Sequence, residues 1–320
     1  QQFKELFPPL DSLDMLCHVQ VVTDSNDPIV TLKSHPETVL ITRSAWPASN
    51  LVGWYCRKLA ALWIPHFSDP YPSYKKMAMR DWWRYPTAYF WLLRILRDSA
   101  FVTVTCHNAI RYFNEITFYR FKGKFHITYH IGFPRLSTCG YSVPRTGNEK
   151  VIVHVGSVMA GRPVECFARY LSSVPGVRLA QYGSVEDPDA RRILNPQSIV
   201  SPAMATDAMA SADAILVADL ESGFGYTPYM PSKFAYALAL GKPIVCLTTA
   251  DSEMAAWARK TKGVLFVDID NLNETAKAVT DLLISGRIVG VDPLSVTEFT
   301  PSDVSKAFVR RVYDAKRVFV

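Results

Sequence analysis

Two glycine-bearing turns in the second half of the chain carry the residue types that hold phosphate. In Gly156-Ser157-Val158-Met159-Ala160-Gly161-Arg162-Pro163 the β-branched run Val151 to Val155 ends at a glycine, and an arginine precedes the next helical pattern. Glycine at a strand end lets backbone N–H groups approach an anion closely, and arginine supplies a bidentate cation. The pattern predicts a diphosphate site at Gly156, Ser157 and Arg162. A plain strand-to-helix connection is the alternative, because one such turn is weak evidence. The second turn opens Pro231-Ser232-Lys233-Phe234-Ala235-Tyr236, which runs on to Gly241-Lys242-Pro243. Ser232 is expected to be an N-cap, Lys233 falls in the first helical turn and Gly241 ends the helix. A cation at a helix N-terminus opposes the macrodipole unless an anion sits there too, which marks Lys233 as a phosphate ligand.

These turns need strands and helices to hold them. Val151–Val155, 177–183, 214–218, 243–247 and 264–267 are short apolar runs. Helical patterns lie between them at 163–172, 232–240, 252–260 and 273–284. Strands apolar on both faces and alternating with helices predict a parallel sheet covered on both sides. The first half repeats the grammar, with strands expected at 18–23, 38–42, 61–67 and 101–105 and helices at 49–59, 82–97 and 108–113. Residues 136–150 read as a linker, and 302–320 as a terminal helix after the breaker Pro301. The expected fold is α/β, with one domain at 1–146, a second at 147–295 and a helix at 296–320 returning to the first domain.

Composition agrees with a two-domain globular chain. The 320 residues exceed what one core usually organises, about half are apolar and a fifth are charged, which excludes disorder and coiled coil. Six scattered cysteines without a Cys-x-x-Cys pair read as reduced thiols rather than a disulfide framework or a zinc site. Without an apolar run of spanning length or a signal peptide, the expected location is cytoplasmic, with peripheral membrane contact as an option. The net charge of +6 is unevenly spread: residues 75–135 hold eleven Lys or Arg against three Asp or Glu, an excess of +8, among fifteen aromatics. Arg80, Trp82, Trp83 and Arg84 belong to this basic, aromatic surface, which suits anionic lipid headgroups or a nucleic-acid backbone. Buried aromatics beside solvated charges are the plain alternative.

The two turns together resemble the GT-B glycosyltransferases, in particular bacterial and phage family-4-like enzymes that use nucleotide sugars. The resemblance covers roughly residues 36 to 290 and rests on the Gly-Ser turn with its arginine, the Pro-Ser-Lys helix closed by Gly-Lys-Pro, and two first-domain blocks. Those blocks are Pro47-Ala48-Ser49-Asn50-Leu51-Val52-Gly53 and Trp63-Ile64-Pro65-His66-Phe67-Ser68-Asp69-Pro70. It implies two Rossmann-like domains facing a cleft, a UDP- or GDP-sugar as donor substrate, no further cofactor and no metal. It also implies a loop from Glu221 through Gly223, Phe224 and Gly225 that faces the donor sugar. Many retaining members carry two Glu eight positions apart; here the corresponding residues are Pro228 and Tyr236, so Tyr236 occupies the ribose position and Glu221 is the nearby acid. Family members begin with a longer first strand and helix, so either these are pared down here and the N-terminal domain is abbreviated, or part of the chain is not in this sequence.

His66 and Asp69, at a strand end, can orient or deprotonate an acceptor hydroxyl. An interior hydrogen-bonded histidine and an Asp-Pro turn starter are the alternatives. The expected activity is hexosyl or pentosyl transfer, retaining in outcome, to a glycan or lipid-linked glycan. A phage-type DNA glycosyltransferase acting on hydroxymethylated pyrimidines and a non-catalytic nucleotide-sugar or nucleic-acid binding module are the alternatives.

Overall fold

The computed structural model describes residues 39–44, 47–71, 84–132, 139–159, 163–197, 201–219 and 225–319. The chain divides into two units, one of residues 1–131 with 301–320 and one of residues 132–300. The strand expected at 18–23 lies outside the described residues.

The first unit holds a parallel sheet in the order β1 (Val39–Ser44), β2 (Leu62–Phe67), β3 (Val102–Val104) and β4 (Phe125–Ile127). The intervening helices are α1 (Pro47–Cys56), α2 (Tyr85–Asp98) and α3 (His107–Ile116). Ala88, Leu92, Ile95 and Leu96 form the buried stripe of α2, the three-to-four spacing that turns one helical face inward. Phe113 of α3 stacks on Phe125 at 5.3 Å and meets Phe67 at 5.2 Å. The C-terminal helix, Pro301–Phe319, groups with this unit, its Phe308 ring 6.4 Å from Phe101.

The amino-terminal edge of this sheet is tied together by polar groups. Asp98 ends α2, where an acid is disfavoured by the macrodipole. Hydrogen bonding from Arg97 at 2.7 Å, joined by Trp54 Nε1 at 2.7 Å and Arg57 at 3.2 Å, holds its carboxyl below the usual range. Lys124 Nζ donates to the carbonyls of Leu96, Arg97 and Ser99 at 2.7, 3.1 and 2.7 Å, closing the end of α2 with a cation. Helix α3 ends in a Schellman-type turn: Tyr119 N–H donates to Asn114 O at 2.7 Å and Phe118 N–H to Glu115 O at 3.2 Å. Glycine usually fills the left-handed position there, but Phe118 has φ 51° and Tyr119 φ 58°. Left-handed backbone costs an L-residue about 1–2 kcal/mol, so two adjacent aromatics are held against their preference.

The second unit is a five-stranded parallel sheet built from β5 (Lys150–Val155), β6 (Val177–Tyr182), β7 (Ala214–Ala218), β8 (Ile244–Thr248) and β9 (Val264–Asp268). Its strand order is β6-β5-β7-β8-β9. The helices are α4 (Val164–Ser172), α5 (Pro188–Leu194), α6 (Pro202–Ser211), α7 (Ser232–Ala239), α8 (Glu253–Lys260) and α9 (Leu272–Ile284). Every residue of β7 and β8 is buried, as strands covered on both faces must be. Cys246 lies in that core, where burial and the neighbouring Asp219 carboxylate push its thiol well up and leave it protonated.

The boundary between units falls at 131/132, earlier than the 146/147 expected from composition, and the terminal segment separates at 300/301 rather than 295/296. The cause is hydrogen bonding. Asp207 accepts from the N–H groups of Cys139 and Tyr141 at 2.8 and 3.0 Å, Ser211 Oγ from Val143 N–H at 3.1 Å, and Asp213 from Arg145 at 2.8 Å. What reads as a linker in sequence is laced onto the second unit.

Candidate functional site

In the second unit the chain runs from β5 outward to β6 and then returns to the other side of β5 with β7. This reversal is a topological switch point, and ligands of open parallel sheets bind beyond the carboxyl ends of the strands there. Gly156 and Ser157 follow β5, Gly183 and Ser184 follow β6, and Asp219 follows β7.

Gly156 has φ 124° and Gly183 φ 121°, backbone conformations that L side chains rarely adopt. The two strand ends lie against one another: Gly156 N–H donates to Tyr182 O at 2.7 Å, and a β-carbon on Gly183 would stand 2.7 Å from Gly156 O. Gln181 Nε2 donates to Gly156 O at 2.7 Å, and Gln181 Oε1 pairs with His154 Nδ1 at 2.6 Å. Val158 N–H donates to Ser184 O at 2.8 Å, while Ser184 Oγ donates to the exposed Ser157 Oγ at 2.9 Å.

Lys233 completes this group. A β-carbon on Gly156 would collide with Nζ and Cε of Lys233, so the amine reaches from the first turn of α7 across the glycine at the end of β5. The N-terminus of α7 has neither a capping side chain nor an acidic residue in its first turn. Its partial positive charge therefore adds to that of Lys233. Tyr236, three residues further along, shares the face of α7 that carries Lys233. Ser232 is not the N-cap expected from the sequence. Pro231, in extended backbone with φ −61° and ψ 130°, takes that position and Ser232 becomes the first helical residue. A proline fixes φ and ends the loop one residue earlier than a serine cap would.

Gly225 is exposed with φ 77° and no atom near its β-carbon position. Arg162, Glu221, Gly223 and Phe224 lie outside the described residues, as do Arg80, Trp82 and Trp83. Arg84 is exposed at the start of α2. Two features of the site in the second unit have no counterpart among the sequence expectations. Gly183 acts through the pairing of β6 with β5, visible in sequence only as a glycine closing an apolar run. Asp219 is buried at the end of β7, its N–H donating to Leu247 O at 3.0 Å and its carboxylate accepting from Thr248 Oγ1 at 3.3 Å. A lone acid after an apolar strand was its only signal.

At the carboxyl end of the first sheet, half-buried His66 is in register with Arg43 on β1 and Thr103 on β3. Its Nδ1 lies 2.9 Å from Thr103 Oγ1. Burial first, then the charges of Arg43 and His130, push the imidazole pKa down to about 3. A ring that stays neutral at ordinary pH is a poor proton acceptor and a competent hydrogen-bonding group. Asp69 is exposed, two residues beyond β2. Arg43 Nε donates to Ser68 Oγ at 3.2 Å across the same edge.

Two parallel α/β units, the second in this strand order, make up the GT-B fold of glycosyltransferases. Solved structures bear this out. HepE of Anabaena, in complex with UDP and glucose, superposes with a TM-score of 0.64 at 10% identity, over 89% of this chain and 79% of that one. OtsA matches with a TM-score of 0.56 at 12% identity, over 91% and 75%. A UDP-forming α,α-trehalose-phosphate synthase from Burkholderia vietnamiensis matches with a TM-score of 0.55 at 13% identity, over 85% and 77%. No protein-family model matches the sequence, and neither does any curated protein.

Proposed function

We propose that the chain is a glycosyltransferase that moves a sugar from a nucleotide-diphosphate sugar to an acceptor hydroxyl. The observation that carries this reading is Lys233 lying across Gly156 at the switch point of the second sheet. The glycine leaves room for the lysine amine against the backbone, and Lys233 with the α7 N-terminus supplies positive charge for a diphosphate. Charge that builds on the departing diphosphate is the main electrostatic demand of glycosyl transfer, and fixed cations meet it without reorganising. Arg162 is proposed as a second cation, the segment around Gly223 to Gly225 as the donor-sugar loop, and Tyr236 as a contact near the ribose. The complex of HepE with UDP supports a UDP-sugar as the first donor to try.

In the first unit, His66 is proposed to orient the acceptor hydroxyl through its neutral imidazole. Asp69, two residues beyond the strand, is proposed as its acidic partner. With a weak base at His66, the proton follows the leaving diphosphate, as in a retaining transfer driven by leaving-group departure. The acceptor is proposed to be a glycan or a lipid-linked glycan.

A thermal-shift panel of UDP- and GDP-sugars tests the donor assignment. A ligand bound only by the native state at about one hundred times its Kd stabilises it by about 2.7 kcal/mol, enough to select one nucleotide. Release of the nucleoside diphosphate from that donor then separates an enzyme from a binding module. A flat panel together with no release from any donor overturns the proposal.

A further inference from the structure

The amino-terminal edge of the first sheet, opposite His66, presents aromatic rings to solvent among cations. Phe118 is 87% exposed, Tyr119 57% and Tyr55 68%. Lys58, Arg97, Arg120 and Lys122 are exposed around them. The edge is continuous, because Arg57 and Arg97 both bind Asp98 and Lys124 ties the turn after α3 to the end of α2. Asp98 is thus already engaged by two arginines, and Glu115 is paired with Arg111 at 2.9 Å.

Phe118 fills a position where glycine would be unstrained, so folding alone does not favour an aromatic side chain there. Its apolar ring has no hydrogen-bonding group to satisfy in water, and it stands at the tip of a turn. No atom comes within 4 Å of a β-carbon on nearby Gly123, as on a convex surface. The turn is anchored from beneath by buried Phe121, with Arg120 poised 5.7 Å above that ring. Protruding aromatic rings ringed by Arg and Lys match the boundary between headgroups and acyl chains of an anionic bilayer. A single-stranded nucleic acid would instead need a groove to follow its backbone.

We propose that this edge, with Phe118 and Tyr119 as the inserting tip and Lys58, Arg97, Arg120 and Lys122 as the headgroup contacts, docks the chain on anionic membranes. Among the described residues no helix is long and apolar enough to cross a membrane, so the contact is peripheral. The proposal holds whether or not the second unit binds a nucleotide sugar.

The full chain is sedimented with vesicles of phosphatidylcholine alone and of phosphatidylcholine mixed with phosphatidylglycerol. Binding is expected only to the mixed vesicles and to weaken with salt. Phe118→Gly is the informative variant: it relieves the left-handed strain, so the melting temperature holds or rises. Partitioning should nevertheless fall by about tenfold or more, the worth of one aromatic side chain leaving an apolar contact. Arg120→Gln and Lys122→Gln should each weaken binding about fivefold, since a basic residue near an anionic surface contributes about 1 kcal/mol. Equal binding to neutral vesicles, no vesicle binding, or unchanged partitioning of Phe118→Gly overturns the proposal. So does a Phe118-dependent shift of duplex DNA or a Phe118-dependent dimer in the absence of vesicle binding.

Discussion

Replacing Gly156 by alanine tests the donor site through two effects that can be separated. The new β-carbon falls on Nζ and Cε of Lys233, and the residue must keep φ 124°. The backbone part costs about 1–3 kcal/mol of stability and does not depend on Lys233. The steric part falls on the flexible end of a lysine, so the amine swings away at little cost in folding. If Lys233 binds the donor phosphate, that displacement removes a charge-assisted bond worth about 1.5–3 kcal/mol, and donor affinity falls about 10- to 150-fold. Lys233→Ala should weaken the donor by a similar factor. In the Lys233→Ala background, Gly156→Ala has no amine left to displace, so a further loss of less than about threefold is expected, a coupling of at least about 0.7 kcal/mol in the double-mutant cycle. Calorimetric titration of the four proteins with the donor selected by thermal shift measures it. Equal losses from Gly156→Ala in both backgrounds, or an unchanged affinity in Lys233→Ala, would show that the phosphate is held elsewhere.

Two further predictions concern the first unit. His66 has a folded pKa of about 3 against 6.5 in the unfolded chain, so the unfolded state takes up the proton first as pH falls. The stability difference between wild type and His66→Asn should shrink by about 2 kcal/mol between roughly pH 6 and pH 4, followed by guanidinium midpoints, and a pH-independent difference would refute the neutral assignment. Lys124→Met removes three bonds to the carbonyls that end α2. It should cost about 2 kcal/mol in chemical denaturation, and a change below about 0.5 kcal/mol would show that the cap is idle.

Much of the second unit was legible because β7 and β8 are short β-branched apolar runs, as strands covered on both faces require. Helices α5 and α6 were not. Pro188–Leu194 is seven residues long, and Pro202–Ser211 is a run of small and apolar residues without a clear polar face. The three-residue strand Phe125–Ile127 also escaped notice, since Phe-His-Ile after a basic turn has no alternation to show. At the site, Gly156 and Lys233 could be read because each breaks a local rule: one is a glycine at a strand end, the other a cation at a helix N-terminus. Gly183 shares the first signal but falls inside the run read as a strand, and Asp219 breaks no local rule. The first matters because β6 lies beside β5, the second because β7 lies beside β8, and both adjacencies belong to topology. The serine expected to cap α7 shows the limit of local chemistry, since the proline before it decides where the helix starts.

The second unit leaves and re-enters the chain at almost one point. Gly132 N–H donates to Phe299 O at 3.0 Å, and Phe299 is buried against Trp257 and Phe234. Residues 132–300 thus behave as a cassette with adjoining ends, set into the first unit between Ile131 and Pro301. Adjoining ends are the condition under which one domain can be inserted into another or exchanged for a relative without stretching its host. On the proposed function, a chain built this way can change its donor by replacing one contiguous block, while the aromatic edge and His66 stay with the host.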